Sequence, residues 1–172
     1  MKIYLLALTV LVTVGSFAQD KKKASGGTSF SVGVEAGLPI GDLKEFSSLG
    51  IGGSAKAAFG IFEGGAVTVS AGYMTFSGKT ITIGGQSFKA GSLNVIPVKV
   101  GLRYMLGGGI YGEPQLGMSF IGNGGGSAFT YAAGLGTIIN NQIDIGVRYE
   151  AFSKNSSTSS FIGARVAYNF GL

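Results

Sequence analysis

The chain has 172 residues, and 32 of them are glycine, more than twice the roughly 7% of average usage. Charged residues make up only 12%, about half the usual ~25%, while mean hydropathy is positive at +0.40. Cysteine, histidine and tryptophan are absent, which removes disulfides, thiolate nucleophiles, cysteine-ligated metals and the commonest general base and metal ligand. Most hydrolase chemistry is excluded, and no catalytic residue, cofactor or metal site is expected. No apolar run reaches the ~18 residues of a spanning helix.

In chain order, Met1 and Lys2 open a cationic stretch, Ile3 to Val14 form a short apolar core, and Ser16-Phe17-Ala18 places small residues at a cleavage position before Gln19-Asp20. This reads as a secretory signal peptide over 1–18, too short for a spanning helix and followed at once by polar residues. Removing it takes away one base, Lys2, and lowers the net charge from +5 to +4. Residues 19–27 then read as a flexible periplasmic leader carrying the Lys21–Lys23 run. The remainder is close to neutral, so nucleic acid is not an expected partner.

From Thr28 onward the dominant period is two, the period of strands. In Ile96-Pro97-Val98-Lys99-Val100-Gly101-Leu102-Arg103-Tyr104 one face carries Ile, Val, Val, Leu and Tyr, the other Pro, Lys, Gly and Arg. Ile143-Asp144-Ile145-Gly146-Val147-Arg148-Tyr149-Glu150 follows the same logic. Eight such segments are expected, at about 28–38, 49–61, 66–77, 93–106, 110–121, 128–139, 143–152 and 160–170. Each is close to the ~9–11 residues a tilted strand needs to cross a bilayer.

The connections alternate. Those at 62–65, 107–109 and 140–142 are tight, whereas those around 39–48, 78–92, 122–127 and 153–159 read as mostly longer and more polar. Short turns at one end and longer loops at the other are the pattern of an outer-membrane barrel, and an even strand count puts both termini on the short-turn, periplasmic side. The aromatics support this independently. Phe30, Phe59, Tyr104, Tyr168 and Phe170 fall at the periplasmic end of their strands, and Tyr73, Phe120, Phe129, Tyr131 and Tyr149 toward the outer end, as two interfacial belts require. A soluble sandwich or lipocalin-like barrel would need a charged exterior, which these strands lack. The expected fold is therefore all-β, an eight-stranded antiparallel up-and-down transmembrane barrel over 28–172.

With the apolar face on lipid, the other face lines the lumen. It carries Glu35, Lys56, Lys99, Arg103, Glu113, Gln115, Asp144, Arg148, Glu150 and Arg165, in a space that eight strands barely leave open. Buried charges must pair. A three-residue turn at Gly107–Gly109 would set Leu106 opposite Ile110 and Arg103 opposite Glu113, and similar counting brings Glu150 near Arg165. Inward glycines, Gly134, Gly136 and Gly163 among them, leave room for long neighbouring side chains. The lumen is expected to be a plug of salt bridges; a selectivity ring in a narrow pore is the competing reading. Gly107-Gly108-Gly109-Ile110-Tyr111-Gly112 matches G-x-G-x-x-G, but a strand follows it where a dinucleotide site needs a helix.

These residues resemble the small OmpA/OmpX-like outer-membrane β-barrel domain, in particular its PorT-like form from Bacteroidota. Ser16-Phe17-Ala18-Gln19 looks like the end of a signal peptide of that group, Ile96–Tyr104 like the family's IPL-x-L-K-Y strand, and Ile143–Tyr149 like its seventh strand. Ile162, Ala164, Val166, Tyr168 and Phe170 resemble a C-terminal insertion signal. The resemblance implies insertion by the barrel-assembly machinery into the outer membrane of a Gram-negative bacterium, a monomer surrounded by outer-membrane lipid, and no peptidoglycan-binding domain. The expected role is a non-enzymatic structural or interaction platform acting through surface loops. Loop 77–92, where Lys79 to Lys89 read as a projecting hairpin, is the candidate contact for a protein partner, set against the plainer reading of a rigid loop. A small passive porin-like channel and an accessory factor in secretion or envelope assembly are the alternatives.

Overall fold

The computed structural model describes residues 27–83, 86–89 and 91–171; the expected signal peptide and nearly all of the leader lie outside them. The elements in order are β1 (Thr28–Ile40), a single helical turn α1 (Leu43–Phe46), β2 (Ser47–Phe62), β3 (Gly65–Gly78), β4 (Thr80–Ile83), β5 (Gln86–Lys89), β6 (Leu93–Gly107), β7 (Ile110–Ile121), β8 (Gly126–Ile139), β9 (Ile143–Lys154) and β10 (Ser157–Gly171). Eight of these strands close into one antiparallel barrel in the order β1-β10-β9-β8-β7-β6-β3-β2, and β4 with β5 forms a separate two-stranded sheet. Closure leaves the barrel no unpaired edge. Each expected segment corresponds to one barrel strand, most of them a few residues longer than expected.

The side chains sit inside out relative to a soluble barrel. Along β6, Ile96, Val98, Val100, Leu102 and Tyr104 are exposed, while Lys99 and Arg103 are only 4% and 7% exposed. The same holds around the wall, with Val34 on β1, Leu116 on β7, Leu135 on β8, Val147 on β9 and Val166 on β10 all at least half exposed. An apolar surface that encircles the molecule is stable only against another apolar phase, and strands of 12 to 16 residues are long enough to cross one at a tilt.

One end of the barrel carries the termini and the β2–β3, β6–β7 and β8–β9 turns. The other carries α1, the β4–β5 hairpin, the β7–β8 turn and the β9–β10 turn. Two connections differ from expectation. In the β6–β7 hairpin Gly107 pairs with Ile110, not Leu106 with Ile110, and a register shift lies between Met105 and Gly107. The turn is therefore two residues, Gly108 and Gly109, both at positive φ (+61° and +78°), which glycine adopts without steric cost. The bulge absorbs the offset, so Tyr104 still faces Gly112 and Gly101 faces Gln115. The supposed longer loop at 153–159 is also a two-residue turn. Lys154 pairs with Ser157, and Asn155 and Ser156 take left-handed φ of 47° and 64°, so the serine- and threonine-rich stretch extends β10.

Two kinds of filling occupy the lumen. Toward the loop end, Met74, Phe76, Val95, Ala128, Phe152 and Phe161 turn inward and pack together with Leu43 of α1; Phe76 and Phe161 meet edge-on at 5.2 Å between ring centroids. The sequence reading did not anticipate this apolar stopper. The remainder of the lumen is polar.

Candidate functional site: a string of ion pairs across the lumen

The hairpin register carries Arg103 to Glu113. Its Nε donates to the carboxylate at 2.9 Å, and its Nη2 reaches Asp144 on β9 at 3.3 Å. Glu113 also takes Lys56 Nζ from β2 at 2.8 Å, the Thr68 hydroxyl at 3.0 Å and Gln115 Nε2 at 2.6 Å. Asp144 takes Arg165 Nη1 from β10 at 3.2 Å and the Tyr111 hydroxyl at 2.5 Å. Arg165 faces Glu35 directly in the β1–β10 register and approaches it to 3.6 Å. Arg148 joins Glu35 and Glu150, each at 2.7 Å, and Lys99 closes the series on Glu150.

These contacts form one unbranched string: Lys56, Glu113, Arg103, Asp144, Arg165, Glu35, Arg148, Glu150, Lys99. Charge alternates at every step, and a base stands at each end. The nine side chains come from six of the eight barrel strands, so the string ties opposite walls together. Hydroxyls saturate what the charges leave over. Ser54 donates to Glu35 at 2.5 Å and accepts from Arg165 Nε at 2.9 Å, and Arg165 Nη2 donates to Ser31 Oγ at 3.0 Å. Among the described residues no buried side-chain nitrogen or oxygen lacks a partner, the condition under which a buried polar network is tolerable.

All nine charged residues singled out from the sequence thus lie in the lumen and in contact with one another. The proposed Glu150–Arg165 proximity is wrong. The two-residue turn at Asn155–Ser156 sets Phe161 opposite Glu150 and Gly146 opposite Arg165, four residues along the strand, so Glu150 turns to Lys99 and Arg148 instead. Sequence reasoning also missed Tyr111, which is 4% exposed, lies under the Arg103 guanidinium at 4.1 Å from ring centroid to Cζ, and donates to Asp144. Its place in the alternation, two residues before Glu113, was the available signal. The glycines make room for these groups: a Cβ on Gly136 would sit 2.4 Å from the Tyr111 ring, and one on Gly134 2.9 Å from Arg148 Cβ.

Cavities within the string are small, about 30 Å³ beside Tyr111 and Leu135 and about 20 Å³ beside Ser70 and Pro97, room for a water or two apiece.

Outside, aromatics gather at both ends. At the terminal end Phe30 lies 6.4 Å from Phe170, Phe170 packs edge-on against Tyr168 at 4.8 Å, and Tyr104 lies 6.3 Å from Phe62. Phe59, half-buried, pairs with Thr28 nearby. Phe62 was missed because a register shift between Gly60 and Phe62 breaks the alternation there. Toward the loop end Phe129, Tyr131 and Tyr149 form a row with 6.4 Å spacings, and Tyr73 and Phe120 stand exposed.

No family model matches the chain, and no curated protein matches it. Solved structures do. The attachment invasion locus protein Ail of Yersinia pestis is 16% identical with a TM-score of 0.55, over 84% of this chain and 99% of that one; its backbone structure in a phospholipid bilayer nanodisc gives 0.58 over the same shares. A de novo designed transmembrane β-barrel is 16% identical with a TM-score of 0.52, over 84% of this chain and 96% of that one. The chain is an eight-stranded antiparallel up-and-down β-barrel of the kind found among small outer-membrane barrels.

Proposed function

We propose that this protein is an integral outer-membrane β-barrel of a Gram-negative cell, closed through its lumen, that serves as a structural or interaction platform through its surface loops. The observation that carries the reading is the ion-pair string. It links six strands across the barrel and leaves cavities of only about 20 and 30 Å³ beside it, below an apolar stopper of Phe76, Phe161 and Met74. A passive channel needs a continuous wetted path, which neither layer favours. Among the described residues each carboxylate of the string is held by bases within the lumen, which supports reading the platform as non-enzymatic.

The termini belong on the periplasmic side and the loop end outside, with the barrel-assembly machinery inserting the chain in that sense. The β4–β5 hairpin forms a two-stranded sheet apart from the barrel, offering strand edges to which a protein partner could add. Ail, similar in fold, is named for attachment and invasion, a surface role of the sort such a platform would have. The PorT-like resemblance adds secretion or envelope assembly as the setting in which a partner would be sought.

The chain has no cysteine, so single introduced thiols report topology cleanly. Ser87→Cys in β5 should react with a membrane-impermeant maleimide on intact cells, and Glu63→Cys in the β2–β3 turn only after the outer membrane is permeabilised. The opposite pattern would reverse the orientation, and equal labelling of both on intact cells would remove the protein from the membrane.

A further inference from the structure

The lumen string contains five bases and four acids, so with every group in its ordinary charge state it carries a surplus of one positive charge. That surplus lies inside a barrel whose outer surface is apolar, where solvation cannot offset it cheaply. Its location is legible from the connectivity. In an alternating string with a base at each end, the inner bases Arg103, Arg165 and Arg148 each contact two carboxylates, whereas the end bases Lys56 and Lys99 each contact one. An ammonium has three protons to donate. Lys99 Nζ directs one contact to Glu150, and Lys56 Nζ turns to the two oxygens of Glu113.

Both ends of the string meet at one place. The cavity of about 20 Å³ is lined by Lys56 and Lys99 together, by Arg148 and Arg165, and by a single carboxylate, Glu35. Lys99 is buried and Lys56 nearly so, with side-chain exposures of 4% and 11%. Four cationic side chains around a space of one or two water-sized species make an anion cradle, and its size excludes carboxylates and phosphates.

We infer that this cavity is a buried binding site for a small monovalent anion, a halide such as chloride, held between Lys56 and Lys99 and completing the charge balance of the lumen. The anion acts as the tenth member of the string and joins its two ends into a ring. The site extends the closed-lumen reading without depending on which membrane holds the barrel.

Mass action supplies the test, because a ligand that binds the folded state alone raises its stability with concentration. The refolded protein in detergent would be melted in chloride and in gluconate at matched ionic strength, following loss of the compact species on unheated gels. Gluconate is too large for the cavity. The midpoint should rise by several degrees with chloride, and Lys99→Met should abolish that rise while remaining folded, since Glu150 keeps Arg148 at 2.7 Å and the string becomes four against four. Identical native midpoints in the two salts would overturn the proposal, as would a Lys99→Met variant that keeps the native chloride response. Should Lys99→Met fail to fold, crystals of the native protein grown in bromide decide: an anomalous peak between the two ammonium groups supports the site, and no peak there refutes it.

Discussion

At the scale of single residues, the order of the lumen string sets the cost of breaking it. Removing one of its acids differs from removing one of its bases, because bases are in surplus. Asp144→Asn would divide the string into Lys56-Glu113-Arg103 and Arg165-Glu35-Arg148-Glu150-Lys99, each with one positive charge in excess. Lys56→Met would leave equal numbers of both signs, with Glu113 still held by Arg103, Thr68 and Gln115. An uncompensated buried charge costs about 3–5 kcal/mol. Urea unfolding of the refolded barrel should therefore show a loss of that order for Asp144→Asn and a clearly smaller one for Lys56→Met; equal losses would mean that the string is not energetically connected. The charged members were legible in the sequence because parity along each strand marks them as one face. Their pairing was not, since partners on non-adjacent strands, such as Lys99 and Glu150, depend on how the closed wall curves. Tyr111 and the stopper residues Phe76, Phe152 and Phe161 escaped for a related reason: parity says that a residue points inward, but an inward apolar side chain looks like a break in an otherwise polar face.

At the scale of elements, alternation located all eight barrel strands, since a wall between lipid and a polar lumen must switch character at each residue. The errors cluster at turns. Ser156 to Ser160 reads as loop by composition, yet Asn155 and Ser156 make the whole turn by accepting left-handed φ, and that moved the β9–β10 register by enough to misassign Arg165. Near Gly107 and Phe62 single-residue bulges did the same on a smaller scale. The β4–β5 hairpin stands apart from the barrel sheet, and the β3–β6 ladder is already formed at Phe76 and Leu93. Replacing 80–89 by a short glycine-rich turn, with Lys79 kept for its bond to the Lys44 carbonyl, should leave the compact, heat-modifiable species on gels intact. If that species disappears, the hairpin is part of the folding core and cannot be only a docking element.

At the scale of the molecule, the barrel is stabilised from both sides in different currencies. Its outer wall exchanges water for lipid, with aromatic belts at the two interfaces, and its interior exchanges water for ion pairs. An eight-stranded wall leaves little lumen, and the long side chains of Arg103, Arg148 and Arg165 occupy what is left. The glycines opposite Arg148 and Arg165, namely Gly134, Gly163 and Gly146, which would weaken a strand elsewhere, help permit that filling. Under the proposed reading, a barrel built in this way acts at the loop end, which carries α1 and the β4–β5 hairpin.

The central claim is that the lumen is closed, and conductance tests it most directly. Refolded protein in a planar bilayer, measured beside Arg103→Ala and Glu113→Ala, should show no steady single-channel current in the native form. Stable native conductance that shifts in both variants would contradict the account and make the ion-pair string the wall of a pore.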